Sequence, residues 1–380
     1  MIPYGRQEIT AADIAAVTAV LGSDFLTQGP AIPRFEQAIA DYCGVAHGVA
    51  VNSATSALHL ACLALDLGPG DRLWTSPNTF VASANCGRYC GAAVDFVDID
   101  PDTYNLSPRA LATKLEAAAA SSRLPKVVVP VHFAGQPCDM QAIATLGQRY
   151  GFRIIEDASH AIGGRYRGGA IGNCRYSDIT VFSFHPVKII TTGEGGLATT
   201  NDPALAERLA RLRSHGITRE PAEMRGAPEG PWYYQQIELG FNYRITDIQA
   251  ALGLSQLQRL DDYVVRRQYL AARYDRGLAH LPLHLPYRDP EHQSALHLYP
   301  IQVRVERSRV FAALRQAGIG VNVHYIPVHT QPDYGQFGFK RGDFPIAEAY
   351  YDHAISLPLF PTMTEAEQDQ VMAVLATALT

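Results

Sequence analysis

The chain lacks the usual signatures of metal binding and dithiol chemistry. Its six cysteines, at positions 43, 62, 86, 90, 138 and 174, form no C-x-x-C pair and no Cys/His metal spacing. Cys86 and Cys90 stand four apart on an expected helix and can share one face. Small buried side chains in a reducing cytoplasm account for all six. No apolar run approaches the roughly 20 residues of a membrane helix, so no membrane partner is expected. The opening Met1-Ile2-Pro3-Tyr4-Gly5-Arg6 does not look like a signal peptide. A formal net charge of −5 leaves no evident basic face for nucleic acid. No Gly-Lys-Ser/Thr occurs, which disfavours hydrolysis of a nucleoside triphosphate. Internal repeats are absent, and the short alanine run at 117–120 is the nearest thing to low complexity.

What is present is globular. The 380 residues are 47% hydrophobic and 18% charged, enough for a large core and a second domain. Short apolar runs at 48–52, 72–75, 94–98, 127–132, 153–157, 179–184 and 196–200 read as strands. They are mostly continuous rather than alternating, as strands covered on both faces should be. Helical patterns lie between them, with capping signals at Ser107-Pro108 and Asp202-Pro203. This alternation predicts an α/β fold with a mostly parallel sheet, over residues 1–250.

After about residue 250 the pattern changes, and residues 251–380 are expected to form a small α+β domain. A long amphipathic stretch at 247–278 leads out of the first part. Residues 298–305 alternate as a half-exposed strand, and 308–317 read as a helix closed by Gly318. Two more strands are expected at 321–325 and 355–357, and Thr364 with Glu367 forms a capping box for the last helix. Prolines and glycines between 219 and 231 mark a long mobile loop.

Lys188 is the most informative residue. It follows an apolar stretch that ends near Ser183 and precedes the turn Gly193-Glu194-Gly195-Gly196. A second apolar strand, Arg153-Ile154-Ile155-Glu156, ends in Asp157. A lysine and an aspartate delivered by two strand ends suit pyridoxal phosphate. The amine forms a Schiff base, and the carboxylate keeps the pyridine nitrogen protonated. Burial would lower the lysine's pKa and favour a nucleophilic amine, although most lysines are solvated surface residues. A carboxylate at the end of a buried strand needs a cation; a pyridinium serves, and so would an arginine.

Phosphate wants backbone N–H groups and hydroxyls at a helix start. The run Asn52-Ser53-Ala54-Thr55-Ser56-Ala57-Leu58 supplies both directly after a strand, though such a run alone is usually only a cap. Phe80 follows the second strand and offers an aromatic face to a ring; on its own it reads as a core aromatic. His160 can reach the ring hydroxyl or Asp157, and an isolated histidine is more often structural. Asn242 and Arg244 carry groups suited to phosphate.

Together these segments resemble the sugar-nucleotide aminotransferases of the DegT/DnrJ/StrS type. The resemblance rests on residues 52–58, on Glu156-Asp157-Ala158-Ser159-His160-Ala161, on Ser183-Phe184-His185-Pro186-Val187-Lys188 with Thr192-Gly193-Glu194-Gly195-Gly196, and on Asn242-Tyr243-Arg244-Ile245-Thr246-Asp247-Ile248-Gln249. It implies the fold type I architecture of aspartate aminotransferase and covers the chain from about residue 4 to its end. Leu26-Thr27-Gln28-Gly29, Arg213-Ser214-His215-Gly216, His297-Leu298-Tyr299-Pro300 and Val323-His324-Tyr325-Ile326-Pro327 are similar to one branch. That branch works in pseudaminic acid biosynthesis and aminates the 4-keto group of a UDP-linked 2-acetamido-2,6-dideoxy hexose.

The resemblance implies roles by position. Lys188 would bind pyridoxal 5'-phosphate covalently, with pyridoxamine phosphate as the intermediate form, and Asp157 would pair with the ring nitrogen. Ala54, Thr55, Ser56 and Ser183 would hold the phosphate, with Asn242 reaching in from the other subunit of a homodimer. His160 would lie near the ring oxygen and Phe80 would stack. Tyr4, Leu26, Thr27, His185, His324 and Tyr325 match substrate-facing positions. L-Glutamate would be the amino donor and a nucleotide sugar the acceptor. Related dehydratases carry histidine in place of the lysine, and a non-catalytic relative should have lost Lys188 or Asp157; neither applies here.

Overall fold

The computed structural model describes residues 1–380. Seven strands form one sheet, in the order His47–Val51, Gly196–Thr200, Ile179–Ser183, Arg153–Asp157, Val127–Val129, Arg72–Thr75, Ala93–Phe96. Every pair from Ile179–Ser183 to Ala93–Phe96 is parallel. Gly196–Thr200 runs against both of its neighbours and is the one reversed strand. Successive residues of each strand bury on opposite faces. Ala50, Val128, Ile154, Phe182 and Leu197 join one core, and Val51, Val129, Ile155, Val181 and Ala198 join the other. Two covered faces are why these strands read as apolar runs.

The expected strands at 72–75, 153–157 and 196–200 match to the residue. The strand expected at 127–132 stops at Val129 because Pro130 has no N–H for the ladder. Beyond it, Asp157 N–H donates to the Pro130 carbonyl and His132 N–H to the Asp157 carbonyl, so pairing resumes at the strand end. The expected caps are present: Ser107 accepts from Ala110 N–H, Asp202 from Ala204 N–H, and Thr364 with Glu367 closes a capping box. All six cysteines are buried and unpaired.

A second, antiparallel sheet joins Leu283–His284, Tyr299–Val303 and Ala354–Leu357. Helices Leu260–Leu278, Arg307–Gln316 and Glu365–Leu379 share its core, and so does Ile2 from the start of the chain. Division into units 1–250 and 251–380 remains a proposal that rests on this change of sheet.

One expectation is refined and two need correction. The stretch 247–278 is two helices, Asp247–Leu257 and Leu260–Leu278, which break where the Arg259 guanidinium turns to grip Asp13 at 2.7 and 2.9 Å. Tyr299–Val303 is not half-exposed. It is the central strand, and Gln302, the most polar residue on it, gives its amide to the Tyr104 hydroxyl at 2.8 Å. Residues 321–325 form no strand beyond a bridge from Asn322 to Ser356. Their polar groups go elsewhere, with Tyr325 N–H donating to Asn78 and His324 meeting Ser356. The loop expected at 219–231 sits inside a hairpin closed by Ile217–Thr218 and Gln235–Gln236, with Glu223 tied to Arg211.

Gly196 faces the backbone where the first strand turns into helix Ala54–Ala64. A Cβ there would lie 2.5 Å from Ala54 N and from Ser53 C. Gly196→Ala should therefore cost about 1–3 kcal/mol through overpacking. Urea unfolding measures it, and an unchanged midpoint would show that the two segments can part freely.

Candidate active site

The carboxyl ends of the same-direction strands open onto one cavity of about 950 Å³. Open α/β sheets place ligands at this edge. The volume lies near the top of the small-molecule range of about 300–1,000 Å³.

One wall is the start of helix Ala54–Ala64. Its first amides have no acceptor within the helix. Ser53 Oγ caps that of Ser56 at 3.1 Å, which leaves those of Ala54 and Thr55 at the cavity wall. The Ser56 hydroxyl donates to Asn52 Oδ1 at 2.7 Å. Ser183, at the end of its strand, lines the same wall. The group is rich in neutral donors, as an anion site at a helix N-terminus should be.

Lys188 and Asp157 share the cavity floor. Lys188 sits on a loop that leaves and rejoins the sheet, pinned where Phe184 N–H donates to the Gly195 carbonyl at 2.9 Å. Burial pulls its amine down to about 8, against the opposing pull of Asp157. Asp157 is 4% exposed. Its Oδ1 accepts from Ser159 N–H at 3.1 Å and its Oδ2 from the Ser83 hydroxyl at 2.6 Å. Phe80 stands opposite, 59% exposed and presenting its ring to the cavity in the turn before helix Ala82–Tyr89.

Two of the cavity's histidines, His160 and His324, are neutral. Burial, followed by the Lys188 charge and the nearness of His324, drives His160 well below its ordinary value. Burial and Lys188 bring His324 to about 3. His160 Nδ1 accepts from Ala134 N–H at 3.2 Å, so a neutral ring carries its proton on Nε2. That nitrogen donates to Tyr325 Oη at 3.0 Å, which leaves the tyrosine's own proton free for a ligand. Burial and Asp157 push the Tyr325 phenol up, so it stays a donor. By the same logic the Asn322 amide donates to His324 Nε2, and His324 Nδ1–H donates to Ser356.

The structure thus gathers Ala54, Thr55, Ser56 and Ser183 on one wall, and Phe80, Asp157, His160 and Lys188 around the floor. Tyr4, His185, His324 and Tyr325 stand at the outer side. Leu26, Thr27 and Asn242 are not brought in. Leu26 is 49% exposed, Thr27 bridges Thr246, and Asn242 is an exposed partner of Ser214. Sequence reasoning missed Ser83, Ser159, Asn322 and Gln249 as participants. Gln249 had a signal, since it lies in the Asn242-to-Gln249 segment; Ser83 had none.

Residues 7–376 match the family model described as the DegT/DnrJ/EryC1/StrS aminotransferase family. The chain is 43% identical over 379 residues to the spore coat polysaccharide biosynthesis protein SpsC of Bacillus subtilis, covering 98% of this chain and 95% of SpsC. Among solved structures it resembles Helicobacter pylori PseC, an aminotransferase involved in the biosynthesis of pseudoaminic acid. The TM-score is 0.91 at 30% identity, over 100% of this chain and 99% of PseC. Spr1654 of Streptococcus pneumoniae, solved in a PMP-form, superimposes with a TM-score of 0.90 at 31% identity, over 100% of this chain and 99% of Spr1654. A PLP-form of Spr1654 also matches.

The donor set fits pyridoxal phosphate. Unpaired amides would take the phosphate, a carboxylate with two fixed hydrogen bonds would hold the ring nitrogen's proton, and a lowered amine would meet the aldehyde. An amine at about 8 is the uncharged nucleophile only above that pH. Its capture of an aldehyde in the apoprotein should rise as pH passes through about 8 and level off beyond. Stopped-flow absorbance reads the rate; a profile still climbing towards pH 10.4, the ordinary lysine value, would contradict the lowered amine.

Proposed function

Because the chain belongs to the DegT/DnrJ/EryC1/StrS aminotransferase family, we propose that it moves an amino group from L-glutamate to the 4-keto carbon of a UDP-linked 2-acetamido-2,6-dideoxy hexose, as in pseudaminic acid biosynthesis. The family's enzymes are sugar aminotransferases that depend on pyridoxal phosphate. The observation that carries the reading is that Lys188 and Asp157 line the same cavity as a helix N-terminus. The likeness to PseC supports the choice of sugar. The likeness to SpsC supports a second reading, the same chemistry on another nucleotide-linked keto sugar, UDP or dTDP, at C3 or C4.

In this reading Ala54, Thr55, Ser56 and Ser183 hold the phosphate, Phe80 covers one ring face and His160 lies by the ring oxygen. Bound there, the cofactor supplies an aldehyde that joins the amino group and a cationic ring that accepts the electron pair. Asp157 keeps the ring nitrogen protonated. Lys188 Nζ removes the proton from the glutamate α-carbon and later delivers one to the sugar carbon. The Tyr325 hydroxyl and His324 orient groups at the outer side, next to Tyr4 and His185. Leu26, Thr27 and Asn242, which stand outside their own chain's cavity, suit a homodimer in which they complete the partner's site. Six unpaired cysteines suit a cytoplasmic enzyme.

Lys188→Ala should abolish turnover and the borohydride-fixed cofactor peptide; a labelled peptide from elsewhere in the chain would sink the assignment. Wild-type protein with labelled glutamate and a panel of UDP- and dTDP-keto sugars, read by mass spectrometry, separates the two substrate readings. Mixed dimers of Lys188→Ala and Asn242→Ala chains should regain turnover that neither variant shows in full, because one of the two sites is then intact. No recovery on mixing would argue that Asn242 serves its own chain.

A further inference from the structure

We propose that Ser83, backed by Thr79, is a positioning residue for Asp157 and through it for the cofactor ring; this rests on the functional reading above. Ser83 is fully buried, and it lies on helix Ala82–Tyr89 rather than on the cavity wall. Its hydroxyl proton has three candidate acceptors. Asp157 Oδ2 lies at 2.6 Å, Thr79 Oγ1 at 2.7 Å and the Phe80 carbonyl at 3.4 Å, so the nearest, and the only charged one, takes it.

That choice fixes the direction of the next bond. Ser83 has one proton and has given it to Asp157. The 2.7 Å contact between Thr79 Oγ1 and Ser83 Oγ must then be a donation from Thr79. A directed pair of hydroxyls therefore runs from Thr79, at the cavity wall, through Ser83 to the carboxylate. Each donation polarises the next and strengthens it in this dry setting.

On its other side Asp157 Oδ1 accepts from Ser159 N–H. Both carboxylate oxygens are thus pinned by the protein, and the plane of the group is set before a ligand arrives. Their remaining lone pairs stay available to the ring nitrogen. The same short segment presents Phe80 to the ring face, so one turn of chain fixes both the aromatic cover and the carboxylate beneath it.

The test compares holoenzymes of the parent, Ser83→Ala, Ser83→Thr and the near-isosteric Thr79→Val. Ser83→Ala should lower kcat roughly ten- to a hundredfold, the worth of one hydrogen bond to a charge, with KM for both substrates near the parent's. The visible circular dichroism of its bound cofactor should weaken, and its apoprotein should bind pyridoxal phosphate less tightly. Ser83→Thr should restore both signals, and Thr79→Val should shift them less in the same direction. If Ser83→Ala fails to fold, Thr79→Val decides by itself. Parent-like dichroism, cofactor affinity and kcat in the hydroxyl-deleted variants would overturn the proposal and leave the functional reading standing. A parent without turnover on any keto sugar would strike the functional reading, while dichroism and cofactor affinity still decide Ser83.

Discussion

A buried carboxylate and a half-buried lysine lining one cavity are the constraint around which the rest of this protein is arranged. Strands Arg153–Asp157 and Ile179–Ser183 are parallel neighbours, with Asp157 opposite Val181. Their ends therefore open on the same edge, and the loop leaving Ser183 returns Lys188 towards Asp157. Neither charge is tolerable alone in that position. The protein answers with local bonds to Asp157 from Ser83 and Ser159, and by letting the lysine's affinity for its proton fall.

The two buried histidines avoid adding charge. His160 and His324 stay neutral, each with one nitrogen accepting and the other donating. A second cation beside Lys188 would repel it, so neutral imidazoles at His160 and His324 leave the amine as the centre of proton traffic. Neutral donors at the start of helix Ala54–Ala64 extend the same economy to the anion end, where the oriented backbone does the work of a cation.

The second sheet takes part directly. His324 is anchored to Ser356 on strand Ala354–Leu357, and Tyr325 reaches across to His160 in the large sheet's territory. Beneath this contact Phe133 and Ala84 share one core with Leu298, Val328 and Tyr350. Shape and chemistry at the cavity's outer side thus depend on packing between elements far apart in sequence, 165 residues in the case of Tyr325 and His160.

Much of this was legible in the chain itself. Apolar runs of four to six residues between capped helices located all seven strands, because a strand covered on both faces leaves no polar alternation. Lys188, Asp157 and the start of helix Ala54–Ala64 were legible because strand ends and helix starts are local events. Residues 298–305 misled, since alternation reports side-chain polarity and Gln302 finds its partner in Tyr104, far away in sequence. Residues 321–325 misled for a similar reason: β-branched and aromatic residues favour a strand, yet Asn78 and Ser356 claim their polar groups. Ser83 was invisible, because a serine in a helix says nothing of the carboxylate 74 positions later that it will meet. The sequence alone set the strands, the caps and the reactive pair, each encoded within a few neighbouring residues. Only the tertiary structure decided which hydroxyl holds Asp157, which nitrogen of His160 bears the proton and which predicted contacts lie outside the cavity, because those depend on distances between segments that no local pattern specifies.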